Sequence, residues 1–311
     1  MATRRAKGQP NGKKKRAIPR LATLPFLWKH ETGAQAVGLS VAEQVWAAND
    51  SGDVVALSIE YGKPERSVKL PAPVYCLLVD AHWAFAGCHD GNIYDVSGAA
   101  PRLVHVMGPQ MGINALAVHG ATGRLVIADN EGGLTAFDVE GNRLWERRGD
   151  DDGEGWLCCA DDDGVYHGCA DGVRAYDWSG ALTWSLPKLD DVRSGVMRGG
   201  ELLVTCGWEK RKQTALCAVT KRGKLRVRVD LKNGAPDWQH NGAESCCADD
   251  TRLFASCGGY LFCFDRQGKP LWDALTGCDS ACSMQTAGGR LFMVTTTGTV
   301  ACLDLTAPCT R

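Results

Sequence analysis

The sequence reads EGGLTAFD at residues 131–138, where a glycine-bearing turn leads into an apolar strand that ends at aspartate. Five further copies of this arrangement and a weaker seventh lie at 52–57, 91–95, 171–177, 259–265, 298–304 and 213–219. Gly52 and Gly298, in the first and last copies, are 246 residues apart, which gives six steps with a mean of 41. A fixed period of about 20–50 residues is typical of repeat proteins, so the repeat is the strongest evidence on the fold.

Each repeat divides into four short strands separated by turns rich in Gly, Asp or Asn. In the third complete unit the strands are predicted at 143–147, 155–160, 165–168 and 174–177. Runs of about 4–8 alternating or apolar residues between such turns are typical of strands. The segment 155–160 has the small apolar residues expected of an inner strand near a crowded axis. No 3.6-residue period competes between 30 and 305, so the body is predicted to be all-β.

Seven units of four strands predict a seven-bladed β-propeller made of four-stranded antiparallel blades. The last unit ends at 299–304, three strands into its blade, whereas the first unit is preceded by a surplus outer strand at 25–30. We therefore expect the N-terminal strand to complete the C-terminal blade and to close the ring. The predicted domains are a disordered basic tail at 1–24 and a single propeller at 25–311.

Three segments resemble the repeat of the quinoprotein-like, or PQQ-like, β-propellers. They are FDVEGNRLW at 137–145, the segment 176–184 that begins with YDWSG and ends at Trp184, and FDRQGKPLW at 264–272. The resemblance covers about 25–305. WD40 propellers have a similar shape, but their Gly-His pair and Trp-Asp dipeptide do not recur at the expected places. The resemblance implies a fold and leaves the function open, because such propellers include enzymes, assembly factors and adaptors.

The charge of the chain is divided unevenly. Residues 1–20 contain eight basic residues and no acidic one, so the net charge of −1 hides a body near −9, with 27 basic and 36 acidic residues. A basic tail can bind nucleic acid or another anionic surface by neutralising phosphates. The candidate tether residues are Arg4, Arg5, Lys13, Lys14, Lys15 and Arg16. The alternative is a solvated, disordered tail that only aids solubility.

The 15 cysteines favour a reducing compartment. Their odd number leaves one unpaired, and the N-terminus lacks the apolar core of a secretory signal. No stretch approaches the roughly 18 apolar residues of a membrane span. Many cysteines lie on predicted strands, where a reduced thiol packs as a small apolar side chain. We expect a cytoplasmic protein.

The sequence offers no positive evidence for catalysis. The resemblance to quinoprotein dehydrogenases draws attention to Cys158-Cys159 and Cys246-Cys247, since adjacent cysteines form a ring disulfide beneath the quinone in those enzymes, but the accompanying calcium ligands are not found. A thiolate site around the axis would use Cys76, Cys158, Cys246 or Cys282, although no metal-ligand spacing supports it. The acidic loop at 150–154 lacks EF-hand spacing, and the seven histidines form no recognisable nucleophile–base pair. We therefore predict no catalytic residue, cofactor or metal.

Two connections depart from the average repeat, at 207–213 and 233–242. Both should emerge on one face of the disc, next to each other, with the acidic loop at 150–154 opening on the same face. The predicted partner-binding residues are Trp208, Lys210, Arg211, Lys212, Asp237, Trp238 and His240. Exposed Trp and Arg are enriched at binding hot spots. The alternative is that Trp208 and Trp238 fold back over their own blades.

The sequence thus predicts a non-catalytic interaction module, a subunit or adaptor of a cytoplasmic multiprotein complex. Two alternatives stay open: an enzyme that uses a small molecule or metal at the axial channel, and an accessory protein tethered to nucleic acid by the basic tail.

Overall fold

The computed structural model describes residues 20–21, 24–108, 111–148, 154–207, 214–231 and 245–306. These residues form 29 β-strands and no helix, which confirms the all-β prediction. Within this part of the chain there is accordingly no helix long and apolar enough to cross a membrane.

The chain begins with β1 (Arg20–Leu21) and β2 (Phe26–Glu31), which join blades formed later in the sequence. Blade I contains β3 (Ala36–Val41), β4 (Val45–Asn49), β5 (Asp53–Leu57) and β6 (Pro64–Lys69). Blade II contains β7 (Val74–Val79), β8 (Ala84–Cys88), β9 (Asn92–Asp95) and β10 (Arg102–Val106). Blade III contains β11 (Ile113–His119), β12 (Arg124–Asp129), β13 (Leu134–Phe137) and β14 (Arg143–Arg147).

The remaining blades follow the same plan of four antiparallel strands, the first of them innermost. Blade IV contains β15 (Gly155–Asp161), β16 (Gly164–Cys169), β17 (Gly172–Tyr176) and β18 (Leu182–Leu186). Blade V contains β19 (Ser194–Arg198), β20 (Glu201–Cys206), β21 (Ala215–Thr220) and β22 (Leu225–Asp230). Blade VI contains β23 (Ser245–Ala248), β24 (Arg252–Cys257), β25 (Tyr260–Asp265) and β26 (Pro270–Leu275). Blade VII contains β27 (Ala281–Ala287), β28 (Arg290–Thr295) and β29 (Thr299–Asp304), with β2 as its outer strand.

The ring closes as the strand count predicted. β2 pairs antiparallel with β29, and Trp28 lies opposite Cys302 while His30 lies opposite Val300. The first long strand of the described residues therefore completes the last blade. The seven-bladed propeller with an N-terminal closing strand is confirmed.

Part of the stretch assigned to the tail belongs to the propeller. β1 pairs in parallel with β26 and adds a fifth strand to the outer edge of blade VI. Leu24 is buried in the apolar core between blades VI and VII. This extra strand satisfies backbone groups of an edge that would otherwise face solvent. Residues 1–19 lie outside the described residues, so disorder of the tail stays a prediction, as does the outer limit of the domain at 311.

The core is divided among the blade junctions. Seven clusters of buried apolar side chains occur in the described residues, one between each pair of neighbouring blades. The cluster between blades VII and I combines residues from opposite ends of the chain, such as Trp28, Leu57 and Val300. Because each blade is buried on both faces, its inner strands need apolar residues at nearly every position.

Three tryptophans on outer strands join one blade to the next. Each of the three donates its indole N–H to a backbone carbonyl in the turn between the third and fourth strands of the following blade. The pairs are Trp28 Nε1 with Ile59 O at 2.9 Å, Trp145 Nε1 with Trp178 O at 3.2 Å, and Trp184 Nε1 with Lys221 O at 2.7 Å. Each indole also covers a glycine of that turn, Gly62, Gly180 and Gly223 respectively, where a Cβ would overlap the ring.

The repeated glycine has a conformational reason. Gly91, between β8 and β9, has a φ of +77°, a region that side-chain-bearing residues rarely occupy. A Cβ at this position would overlap the carbonyl oxygen of Gly108, two residues beyond the outer strand of the same blade. Gly52 and Gly298 approach the carbonyls of Leu70 and Ala34 in the same way, also with positive φ.

Candidate functional site

We call the face that carries the turns between second and third strands, and the connections between blades, the upper face. The predicted partner-binding residues belong to two such connections, but Trp208, Lys210, Arg211, Lys212, Asp237, Trp238 and His240 all lie outside the described residues. What the structure describes is where these connections begin and end. The amide of Leu231, at the start of the second, donates to the carbonyl of Thr214, at the end of the first, at 2.8 Å.

This hydrogen bond has a clear consequence for the upper face. The segments 208–213 and 232–244 leave the sheet of blade V from adjacent positions, and the second one leads to β23 of blade VI. The predicted role of the seven residues in binding a partner remains untested. Of the acidic loop at 150–154, residues 150–153 lie outside the described residues, whereas its last residue, the exposed Glu154, lies at the mouth of the channel.

An axial channel of about 900 Å³ runs through the centre of the ring. Its wall is formed by the first strands of blades I to V and VII, and by residues in the turns above them. The upper end of the channel is lined by polar and aromatic residues, including Gln35, Tyr75, His89 and Arg193. The lower part is lined by apolar residues such as Leu78 and Val118 together with the polar Ser40 and Gln285. The mouth of the channel on the upper face is the end that carries the aromatic residues Tyr75 and Trp156.

Five inner strands carry a β-bulge at the same place, one residue into the strand. In blade III, for example, Ile113 lies opposite Asp129 and Ala115 opposite Ala128, which leaves Asn114 as the extra residue. The five extra residues, one each from blades I, II, III, IV and VII, are Val37, Tyr75, Asn114, Trp156 and Cys282. All five line the channel. A bulge changes the direction in which the extra side chain points, so the backbone geometry itself determines where these five side chains lie.

The described strands β19 and β23 of blades V and VI pair with their neighbours in regular register. In blade VI the described strand begins at Ser245, so residue 244, the position that corresponds to the bulge, lies outside the described residues.

The bulge residues differ in chemistry from the strands that carry them. Trp156 is 36% exposed although it lies in the interior of the ring, and Tyr75 packs edge-on against His89, with ring centroids 5.1 Å apart. Asn114, between them, is 7% exposed, and neither its Oδ1 nor its Nδ2 has a hydrogen-bond partner among the described residues. Buried amides are normally paired, so Asn114 is unusual.

A buried histidine lies behind the mouth, between blades III and IV. His167 is 2% exposed, and its Nε2 lies 2.6 Å from the point where a Cβ on Gly155 would stand. Glycine at 155 therefore makes room for the imidazole just before the bulge at Trp156. Burial, assisted by the Arg174 charge and opposed by Asp171, lowers the pKa of His167 to about 4.

This pKa predicts a loss of stability in weak acid. Between pH 6.5 and about 4, His167 is protonated in the unfolded chain but not in the folded protein. The free energy of unfolding therefore falls by up to about 1.4 kcal/mol for each pH unit as the pH is lowered through this range. His167→Gln, which stays neutral, should flatten this part of a plot of unfolding free energy against pH. His30 and His105 also have pKa values lowered by burial and are present in both proteins, so they cancel in the comparison. Equal slopes for the two proteins would show that His167 is protonated in the fold.

The cysteine pairs occupy equivalent inner strands, β15 and β23, and their neighbouring side chains point to opposite faces of the sheet. Cys158 packs between blades III and IV, and Cys159 packs toward blade V. None of the fourteen described cysteines forms a disulfide. Burial raises the pKa of Cys159 and of Cys246 to about 12, which favours the uncharged thiol. Among the described residues, no group of three or more His, Cys, Asp or Glu side chains could hold a metal ion.

One histidine has a contact pattern that the sequence analysis missed. His119 Nδ1 lies 2.7 Å from Thr122 Oγ1, and His119 Nε2 lies 2.9 Å from Asp162 Oδ1, on the lower face. These distances match a nucleophile, base and carboxylate. The Asp162 side chain is, however, 90% exposed and so is solvated rather than held in place. We interpret the contact as a link between blades III and IV, formed by residues 43 apart in sequence.

Comparisons with known proteins support the architecture alone. No family model matches the sequence, and no curated protein matches it significantly. Among solved structures, the chain is similar to the crystal structure of the computationally designed protein Ika8, with a TM-score of 0.67 and 16% sequence identity. The match covers 90% of this chain and 99% of Ika8. At this identity the similarity shows the fold and carries no information on function.

Proposed function

We propose that this propeller is a non-catalytic binding module that recognises a protein partner on its upper face, as a subunit or adaptor of a cytoplasmic complex. The hydrogen bond between Leu231 and Thr214 supports the proposal best, because it holds the end of segment 208–213 next to the start of segment 232–244. Those segments contain Trp208, Trp238 and four Lys or Arg residues, and tryptophan and arginine are enriched at protein interfaces.

The upper face differs from the lower face in a way that suits binding. It carries the long connections and the mouth of the channel, whereas the lower face consists largely of short turns between strands. Binding residues are often found on loops held by a rigid scaffold, and the ring of seven blades is such a scaffold. We also propose, from the sequence repeat alone, a common origin with the quinoprotein-like propellers.

The basic tail supports a second, separate proposal, an electrostatic tether to nucleic acid. β1 fixes the end of the tail to the outer edge of blade VI. An anionic partner bound by residues 1–19 would therefore be held beside blade VI.

The proposal for the upper face predicts a specific loss of binding. The unaltered chain should capture proteins from a native lysate that are no longer captured when Trp208 and Trp238 are both replaced by alanine. The melting temperature should change by less than about 4 °C, because substitutions at exposed positions rarely change stability by more than ~0.5 kcal/mol. Tyr61→Ala is the matched control, because Tyr61 is an aromatic residue 64% exposed in a lower-face turn.

Quantitative mass spectrometry of the captured proteins checks this result. The proposal requires that the same proteins be lost with the double variant and retained with Tyr61→Ala. If the double variant unfolds, or if it captures the same proteins at the same level, the two tryptophans cover their own blades and the binding surface lies elsewhere.

A further inference from the structure

Two basic turns of the lower face lie next to each other, on blades V and VI. They connect the third and fourth strands of their blades and have the sequences KRGK at 221–224 and RQGK at 266–269. Arg226 Nη1, in the outer strand of blade V, donates to Arg266 O at 2.6 Å. The turn of blade VI therefore lies against the strand that follows the turn of blade V, and the two sets of basic side chains occupy one part of the lower face.

Three cations of these turns have no acidic partner. Arg222, Lys224 and Lys269 are exposed and form no ion pair within the ranges that the structure describes. The other two basic side chains, Lys221 and Arg266, form ion pairs with carboxylates of blades IV and V. A cation that no neighbouring carboxylate offsets attracts anions from solution. We call the side chains of Arg222, Lys224 and Lys269 the basic sector.

The basic tail joins the propeller beside the second of these turns. β26 begins at Pro270, immediately after the turn 266–269, and runs from the lower face toward the upper face. β1 pairs with β26 in parallel, with Arg20 opposite Asp273, so the chain enters β1 from the lower-face side of blade VI. The seven basic residues of 1–19 are therefore connected to the propeller next to the basic sector.

The turns on the other side of the lower face carry the opposite charge. In blades V and VI the lower-face turns contain five basic residues and two acidic ones, Asp249 and Asp250. In blades I to IV they contain one basic residue, Lys63, and eight acidic ones, which are Glu43, Glu60, Asp80, Asp138, Glu140, Asp162, Asp163 and Asp177. The basic surface is thus confined to one side of the disc.

We propose that the lower-face turns of blades V and VI bind the phosphate backbone of a nucleic acid together with the tail. The proposal rests on the tether function proposed for the tail and adds a second contact, on the propeller itself. A nucleic acid presents its phosphates along a narrow line, so it can contact the tail and the basic sector without approaching the acidic turns. An anionic membrane is a broad plane that would face blades I to IV as well, where like charges repel. The charge pattern therefore favours a nucleic acid over a lipid surface.

Fluorescence anisotropy of the full chain with a labelled DNA duplex of about 20 base pairs, at about 50–200 mM salt, tests the proposal. Replacing Arg222, Lys224 and Lys269 together by glutamine should weaken binding by about 10-fold or more. The slope of log K against log salt concentration should become shallower by about 2–3, because each lost phosphate contact contributes about 0.9. The sequence of the duplex should have little effect, because phosphate contacts carry no sequence information.

A charge-matched variant separates this surface from the net charge of the protein. Lys63→Gln, Arg148→Gln and Lys188→Gln together remove three charges from exposed positions outside the basic sector. This variant should weaken binding by less than about 3-fold, because exposed charges more than about 10 Å from the duplex are largely screened by salt. Both variants should keep the melting temperature within about 5 °C of that of the unaltered chain, since every substituted position is exposed.

Neutralising the tail separates the two contacts. The tail variant replaces the six candidate tether residues by glutamine, namely Arg4, Arg5, Lys13, Lys14, Lys15 and Arg16. If this variant loses affinity while the basic-sector variant binds as tightly as the unaltered chain, the tether stands and the contact with the propeller is wrong. If only the basic-sector variant loses affinity, the tether is wrong and the turns bind alone.

Vesicles that contain phosphatidylserine test the lipid surface. Binding to these vesicles without binding to the duplex at about 50 mM salt would assign the basic sector to a membrane and overturn the proposal, as would the absence of binding to either. The Trp208→Ala, Trp238→Ala double variant should bind the duplex with unchanged affinity, because both residues belong to connections of the upper face. The nucleic-acid surface and the protein-binding surface can therefore fail independently.

Discussion

Replacing Trp28 by alanine is expected to lower the free energy of unfolding by about 3–5 kcal/mol, the usual cost of truncating a buried aromatic residue. Trp28 is 9% exposed, donates its indole N–H to Ile59 O, and lies 6.0 Å from Phe292, measured between ring centroids. It belongs to the one strand that joins the two ends of the ring. The cost therefore falls on the contact that closes the propeller. Urea unfolding followed by circular dichroism measures the change.

Trp145→Ala is the matched control for this variant. Trp145 makes the same contacts between blades III and IV, with Trp178 O and Gly180, but β14 is tied to its blade by a short turn after β13. We expect a similar loss of overall stability in both variants and a difference in where the fold opens first. In Trp28→Ala, amide hydrogens of β29 should exchange faster than those of β13, because the partner of β29 is held only by non-covalent contacts.

In Trp145→Ala the order should be equal or reversed. If β29 exchanges no faster than β13 in Trp28→Ala, the closing strand is no weaker than any other outer strand. The ring would then depend equally on all its blade junctions, and the special role assigned to β2 would be incorrect.

The architecture could be predicted because two of its requirements are local. The turn between second and third strands needs a positive φ, which glycine provides, so the turns are visible as a period in the sequence. Closure followed from counting strands, since the last blade was one strand short and the first residues supplied one. Both arguments use single positions and their spacing. Neither needs to know which strands are neighbours in space.

The chemistry of the channel could not be predicted in that way. A bulge depends on the register between two strands, and strand alternation in one segment does not reveal that Trp156 has no partner opposite it. Aligning the inner strands AVGL, VYCL, INAL, GWLC and ACSM would have shown one position that changes from Val to Tyr, Asn, Trp and Cys. The contact of His119 with Asp162 was missed for a related reason, since it depends on how two blades pack side by side.

The role of the N-terminal residues was also not visible in the sequence, because it depends on which strand they pair with. The composition of residues 1–24 predicted a tail, and the dipeptide Arg20-Leu21 is too short to show a strand pattern. Their pairing with Asp273 and Ala274 becomes visible only when the outer edge of blade VI is in view. A two-residue strand is stabilised by the edge it joins rather than by its own propensity.

Gly91→Ala is expected to lower the free energy of unfolding by about 2–5 kcal/mol, from two costs that can be separated. The first is the positive φ of +77°, which costs a residue with a Cβ about 1–2 kcal/mol. The second is the overlap of the new Cβ with the carbonyl oxygen of Gly108, an overpacking cost of about 1–3 kcal/mol. The amide of Met107 donates to Gly91 O at 2.8 Å, so the turn cannot shift without disturbing the outer strand.

Gly141→Ala isolates the first cost. Gly141 lies in a lower-face turn with a φ of +84°, and nothing lies within 4 Å of the position of its Cβ. It should therefore lose only about 1–2 kcal/mol, measured by the same urea unfolding. The difference between the two variants gives the free energy of close contact at the repeated turn. If the two losses are equal, the glycine recurs only because of its backbone conformation, and the packing of each turn against its own outer strand contributes nothing to the repeat.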